Sequence, residues 1–107
     1  MPCSFSITLK RIRRLAAQRC VRFTLKAQQE LTLLGWGFDT EDACQVIAGL
    51  SARDFSDRLV SSITGEWMYV FKPPVSGVIL YIKLVLRSDC VIVSFHEDTG
   101  DEHEQDL

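Results

Sequence analysis

The most constraining stretch of this chain runs from Gly77 to Glu97. It reads Gly77-Val-Ile-Leu-Tyr-Ile-Lys-Leu-Val-Leu-Arg87, then Ser88-Asp89, then Cys90-Val-Ile-Val-Ser-Phe-His96-Glu97. Both arms are rich in β-branched and aromatic residues, which suit a pleated, half-buried surface, and the polar pair between them predicts a two-residue hairpin turn. With Ser88-Asp89 as that turn, Leu86 faces Val91, Leu84 faces Val93 and Ile82 faces Phe95 on one side of the ribbon. The other side pairs Arg87 with Cys90, Val85 with Ile92, Lys83 with Ser94 and Tyr81 with His96. A one-residue slip would push Lys83 or His96 into the apolar set, so the pattern opposes it. One face is expected to be core, and the other to carry Tyr81, Lys83, Arg87, Ser94 and His96 as a polar cluster.

The rest of the chain must supply what that hairpin packs against. At 107 residues, with 47% hydrophobic and 24% charged content, it is expected to form one domain with a single modest core. Its apolar runs are too short to span a bilayer, and the basic N-terminus mixes charge into apolar positions, so neither a membrane association nor a signal peptide is predicted. A cytoplasmic location is the expectation. The cysteines Cys3, Cys20, Cys44 and Cys90 are scattered with no Cys-x-x-Cys unit, and the two histidines, His96 and His103, make no zinc-like spacing with them. Buried or incidental thiols are expected, with no metal site and no cofactor.

Charge is unevenly spread. Six of the 14 acids lie in residues 97–107, leaving 8 against all 12 basic residues in the first 96, and residues 1–29 hold seven basic residues and no acid. A basic body with an acidic tail suits a polyanion or an acidic partner, whereas charges of this kind also simply solvate a surface helix.

Taken in order, residues 1–6 are expected to be loose. A helix capped by Thr8 should run from Leu9 to Gln18, burying Leu9, Ile12, Leu15 and Ala16 while Lys10, Arg11, Arg13 and Arg14 face outward. Val21 to Thr24 alternates as a short strand. Thr24 then caps a helix to about Leu34, stopped by Gly35, with Ala27, Leu31 and Leu34 inward. Thr40, with Glu41 and Asp42 in its first turn, starts a third helix that buries Ala43, Val46, Ile47 and Leu50. Ser51 to Asp54 resembles a capping box and predicts a short helix to about Arg58. Trp67 to Lys72 reads as a strand stopped by Pro73-Pro74, its Trp67, Tyr69 and Phe71 on the core side. Residues 98–107 are acidic, lack aliphatic content before Leu107, and are expected to be a disordered tail. Helices first and antiparallel strands afterwards give an α+β fold, with the helices on one sheet face and the other face open.

From Val46-Ile-Ala-Gly-Leu-Ser-Ala-Arg-Asp-Phe55 onward, the order of features resembles a known family. Trp67, Val70 and Pro73, then Leu80-Tyr81-Ile82-Lys83 and Val91-Ile-Val-Ser-Phe95, follow with similar spacing, and the basic first helix and Gly35-Trp-Gly-Phe-Asp39 fit as well. The chain resembles the motility quorum-sensing regulator (MqsR) toxins, RelE-like mRNA interferases of type II toxin–antitoxin systems. The resemblance implies one RelE-like toxin domain over residues 1–97, metal-free cleavage of mRNA that inhibits translation, and neutralisation by a DNA-binding MqsA-like antitoxin whose complex meets operator DNA. It places the catalytic tyrosine on Tyr81 and the C-terminal catalytic position, a lysine in the family, on His96. Departures fall at Asp57, where a lysine is expected with Arg58 as its nearest basic neighbour, and at Met68, where a glutamine is expected.

Metal-free RNA cleavage needs a base for the 2′-hydroxyl, an acid for the leaving 5′-oxygen and positive charge near the phosphorane. His96 and Tyr81 suit the first two roles, and Lys83, Arg87, Lys72 and Arg58 are the candidate phosphate binders. Two other readings stand beside this one. A degenerate relative would serve only as an antitoxin- and RNA-binding module in autoregulation, and an interaction protein would bind ribosomes or RNA through the basic first helix. The residues assign the acidic tail no role; that it folds back over the basic face as a phosphate mimic is a hypothesis, testable by removing residues 98–107 and measuring RNA affinity.

Overall fold

The computed structural model describes residues 3–100. Helix α1 spans Cys3–Ala17, strand β1 Val21–Phe23, α2 Leu25–Leu33 and α3 Thr40–Ala48. A single 3-10 turn at Ala52–Asp54 leads into β2 (Phe55–Val60), β3 (Trp67–Phe71), the short β4 (Pro74–Val75), β5 (Val78–Leu86) and β6 (Cys90–Glu97). The sheet order is β1-β6-β5-β3-β2, with β4 folded onto the start of β5. All pairings are antiparallel except that of β1, which lies parallel to β6. The expected α+β class, helices packed on one face of the sheet, is what the chain adopts.

The helices form where their apolar positions recur on one side. Phe5, Leu9, Ile12 and Ala16 of α1, Ala27 and Leu31 of α2, and Ala43 and Ile47 of α3 with Leu50 after it meet Phe71, Leu80, Ile82, Leu84, Cys90, Ile92 and Phe95 in one core. α1 begins at Cys3, not after a loose segment, because Phe5 extends its buried stripe by one turn and packs against Phe55 with ring centroids 4.5 Å apart. Thr24 caps α2 by accepting from the Ala27 N–H at 3.1 Å. The cap of α3 is Asp39, one residue before the expected start, in a reciprocal capping box with Asp42. Ser51 and Asp54 do form their predicted box, but it caps only the 3-10 turn. The segment expected to continue as helix to Arg58 is instead edge strand β2. Its solvent-washed alternation gives little periodicity to read.

The hairpin register holds at the functional end and differs toward the turn. Tyr81 pairs with His96, Ile82 with Phe95 and Lys83 with Ser94 as expected, but Leu84 pairs with Ile92, Val85 with Val91 and Leu86 with Cys90. The turn has three residues, Arg87 to Asp89, closed by the Arg87 N–H on the Asp89 carbonyl at 2.8 Å. An extra residue at Val93 forms a bulge that restores the register beyond it. That bulge reverses the alternation of β6. Cys90 and Ile92 therefore face the helices, and Val91 and Val93 face away, the reverse of the sequence expectation.

The second sheet face is not open either. Met68, Val85 and Val91 form a small buried cluster there, with Leu59 and Val93 beside it. Lys83 is 1% exposed and Ser94 is fully buried. Among the described residues Cys20, Cys44 and Cys90 are free thiols, and burial pushes the Cys90 thiol up to about 12. No helix among the described residues is long and apolar enough to cross a membrane.

Candidate active site

The second sheet face divides into an apolar half near the hairpin turn and a polar half at the other end. β5 supplies Tyr81 and Lys83 to the polar half, β6 supplies Ser94 and His96, and β3 runs out at Lys72 beside them. The Tyr81 and His96 rings stack with centroids 5.0 Å apart and planes 12° from parallel. Strand alternation produces this stack directly, because the two residues are cross-strand partners on one face. Tyr81 is 4% exposed and His96 half-buried, so solvent meets the pair mainly at its rim.

His96 Nδ1 lies 2.8 Å from the Glu97 carbonyl oxygen. A carbonyl only accepts, so Nδ1 carries the hydrogen and, in the neutral ring, Nε2 is the basic nitrogen. Lys72 Nζ sits 5.7 Å from the centre of the Tyr81 ring. It also pairs with the Asp98 carboxylate at 3.4 Å, so the chain just after β6 lies on the tyrosine's flank. A depression of about 170 Å³ opens there, lined by Asp57, Leu59, Val70, Lys72, Tyr81 and the backbone near Gly100. A second, of about 260 Å³, opens on the other flank and is lined by Glu30, Leu33, Leu34, His96, Glu97 and Thr99.

The sequence-predicted residues separate into two groups. Tyr81, His96, Lys72 and Lys83 come together, with Lys83 beneath the surface. Arg58 does not join them. It pairs with Tyr69 on the helix-side face and lays its guanidinium 4.1 Å from the Trp67 ring centre. Arg87 stands at the hairpin turn, held by Glu66 through contacts of 2.7 and 2.9 Å, while its carbonyl accepts from Arg11 of α1. The Arg87 guanidinium holds the Glu66 carboxyl down to about 2. Asp57 lines the Tyr81 depression, so an acid stands where the family resemblance led one to expect a base. Met68 is buried in the apolar half of the face.

Two side chains that the sequence reading left out belong here. Lys26, in the first turn of α2, donates to Ser94 Oγ at 2.8 Å and pairs with Glu30 at 2.9 Å. Glu30 turns its other oxygen to the Phe95 N–H at 2.9 Å. Their i,i+4 spacing was visible as a helix pair. Nothing local announced that α2 would lie along the edge of β6.

A sheet backed by helices on one face, with a tyrosine and a histidine stacked between lysines on the other, is an α+β fold consistent with the RelE-like toxins. Residues 6–97 match the family described as motility quorum-sensing regulator, toxin of MqsA. The chain is also 33% identical over 90 residues to the mRNA interferase toxin MqsR of Escherichia coli strain K12, covering 83% of this chain and 90% of that protein. This chain belongs to the MqsR toxin family.

Proposed function

We propose that this toxin is an endoribonuclease that cleaves mRNA without a metal ion, through Tyr81 and His96, and thereby restrains translation and growth in the cytoplasm. The relative named as an mRNA interferase supports the substrate class, and the family description as a toxin of MqsA supports a cognate antitoxin of that type as partner. Operator DNA enters only through that antitoxin complex. The observation that carries the chemical reading is the near-parallel Tyr81–His96 stack beside the Lys72 ammonium.

In the proposed reaction His96 Nε2 removes the proton of a ribose 2′-hydroxyl. The 2′-oxygen forms a bond to phosphorus, the P–O5′ bond breaks, and the Tyr81 hydroxyl delivers a proton to the departing 5′-oxygen. The products are a 2′,3′-cyclic phosphate and a 5′-hydroxyl end. Lys72 faces the negative charge that develops on phosphate and phenolate. Lys83, buried beside the pair two residues along β5 on the same face, adds positive potential without reaching solvent. Neither Arg58 nor Arg87 takes part in this scheme.

The Asp57 carboxylate on the Tyr81 flank favours a second reading, a relative that binds antitoxin and RNA without cutting. Incubation of a long single-stranded RNA with purified protein in EDTA decides between them, with His96→Ala and Tyr81→Phe run alongside. Cleavage that survives chelation and collapses in both variants supports the nuclease. An inactive wild-type protein, with or without ribosomes, leaves the binding module.

A further inference from the structure

Of the cations foreseen as phosphate ligands, Arg58 lies on the helix side of the sheet, Arg87 stands beside Glu66 at the hairpin turn, away from the Tyr81–His96 pair, and Lys83 is 1% exposed. Lys72 remains, on the Tyr81 flank, with its side chain 35% exposed. On the His96 flank the structure supplies Lys26 instead, 38% exposed.

The position of Lys26 is fixed by the β6 bulge. The Thr24 N–H donates to the Ile92 carbonyl at 3.0 Å, and the Thr24 hydroxyl donates to the Val93 carbonyl at 3.4 Å while capping α2. The first turn of α2 is thereby pinned to β6 just before Ser94. Lys26 then reaches over the strand edge to Ser94 Oγ. Ser94 and His96 are two residues apart on one face of a strand, a separation of about 7 Å. The ammonium is thus seated beside the base, within the reach of one nucleotide.

We infer that Lys26 is a substrate-binding residue, the ligand of the RNA phosphate immediately 5′ to the scissile one. The inference rests on the nuclease reading for its direction along the strand. If His96 takes the 2′-hydroxyl proton, the nucleotide carrying that hydroxyl lies on the His96 flank, and its own 5′-phosphate extends toward α2. Lys72 and Lys26 then hold successive phosphates on opposite sides of the Tyr81–His96 stack. Glu30 occupies Lys26 when RNA is absent, and a dianionic or bridging phosphate competes for the same ammonium. Ser94 keeps the side chain oriented in both states.

The test uses the full chain and short 2′-O-methyl RNA oligonucleotides, which bind but lack the nucleophile. Binding of wild type, Lys26→Gln and Lys26→Arg is measured across a salt series, with and without a 5′-terminal phosphate on a dinucleotide probe. Loss of one phosphate contact on a single strand reduces the slope of log K against log salt by about 0.7, a change that loss of packing alone does not produce. Lys26→Gln should show that reduction and should no longer distinguish the 5′-phosphorylated probe, and Lys26→Arg should restore both. Equal urea midpoints for the three proteins confirm that folding is not the cause. Unchanged slope and unchanged 5′-phosphate preference in Lys26→Gln, in a wild type that cleaves RNA, overturn the Lys26 assignment alone. The reduced slope and lost preference in a protein that never cleaves RNA support Lys26 as an RNA-phosphate ligand but refute the nuclease and, with it, the assignment of that phosphate to the position 5′ of a scissile one.

Discussion

Glu30 offers the sharpest check on how the site is held. β1 ends at Phe23 opposite Ile92, so beyond that point no strand among the described residues pairs with the outer side of β6. The outward N–H of fully buried Phe95 is satisfied by Glu30 Oε1 at 2.9 Å, and Oε2 pairs with Lys26. A hydrogen bond to a charged group contributes about 1.5–3 kcal/mol, and removal of the acceptor leaves a buried donor unpaired. The Lys26 pair, partly exposed, adds only about 0.3–0.5 kcal/mol. Glu30→Ala is therefore expected to cost about 2 kcal/mol, with a fall in Tm of roughly 8–16 °C at about 4–8 °C per kcal/mol. Glu30→Gln keeps an oxygen for the Phe95 N–H and should lose only about 1 kcal/mol. Urea unfolding measures both, with an unchanged m-value as the sign that the native state stays compact. Hydrogen exchange at the Phe95 amide should accelerate in Glu30→Ala beyond the global change, because the strand end carrying Ser94 and His96 opens locally. A Glu30→Ala protein within about 0.5 kcal/mol of wild type would refute the assignment of Glu30 as the acceptor that closes the β6 edge.

Three further outcomes are expected. Asp98→Asn frees Lys72 from its in-chain carboxylate, a partly exposed pair worth about 0.2–1 kcal/mol, so binding of an uncleavable RNA should tighten by up to about fivefold. Equal affinity would mean that Asp98 does not compete with phosphate. Glu66, held down to about 2 by Arg87, has a folded pKa below its ordinary 4.5, so its pair stabilises the fold above pH 4.5 and ceases to do so as pH falls through about 2. The stability difference between wild type and Glu66→Gln, followed by thermal melts, should be full at neutral pH and vanish near pH 2; a gap that widens on acidification would contradict the assignment. Finally, Ile92→Ala removes a fully buried side chain and should cost about 2–5 kcal/mol in chemical denaturation, whereas half-buried Val93→Ala should cost much less. The reverse order would restore the bulge-free register with its two-residue turn.

The Tyr81–His96 pair was legible in the sequence for a reason that the structure makes plain. The two-residue turn that Ser88-Asp89 suggests and the three-residue turn that forms differ by one position in register, and the bulge at Val93 returns that position. The two deviations cancel at Lys83–Ser94, so everything beyond them pairs as the simple ladder predicts. Between the turn and the bulge they do not cancel, and there Cys90, Val91, Ile92 and Val93 all exchange faces. Apolar residues occupy both parities of that run, so hydrophobic alternation held no information with which to choose. β2 was illegible for a related reason: an edge strand washed on most sides, preceded by a genuine capping box, offers a helix start and no strand period.

The same bulge explains why the proposed phosphate ligands were only half readable. Lys72 follows β3 and comes near Tyr81 through the β3–β5 pairing, whereas within the hairpin adjacency along β5 correctly placed Lys83 near Tyr81. It misplaced Arg87 because the turn lies far from the pair along β5. Lys26 is remote in sequence and reaches the site only because β1 stops at Phe23, leaving the outer edge of β6 for α2 to cover. The bulge then presents the Ile92 and Val93 carbonyls to Thr24, which sets the height of the helix over the strand. A basic residue in the first turn of a basic stretch looks like solvated surface until that docking is known. The basic residues of positions 1–29 are thus not equivalent: Arg11 and Arg13 tie α1 to carbonyls of Arg87 and Ala48, Arg19 and Arg22 pair with Glu41 and Asp89, and Lys26 reaches Ser94 on the Tyr81–His96 face.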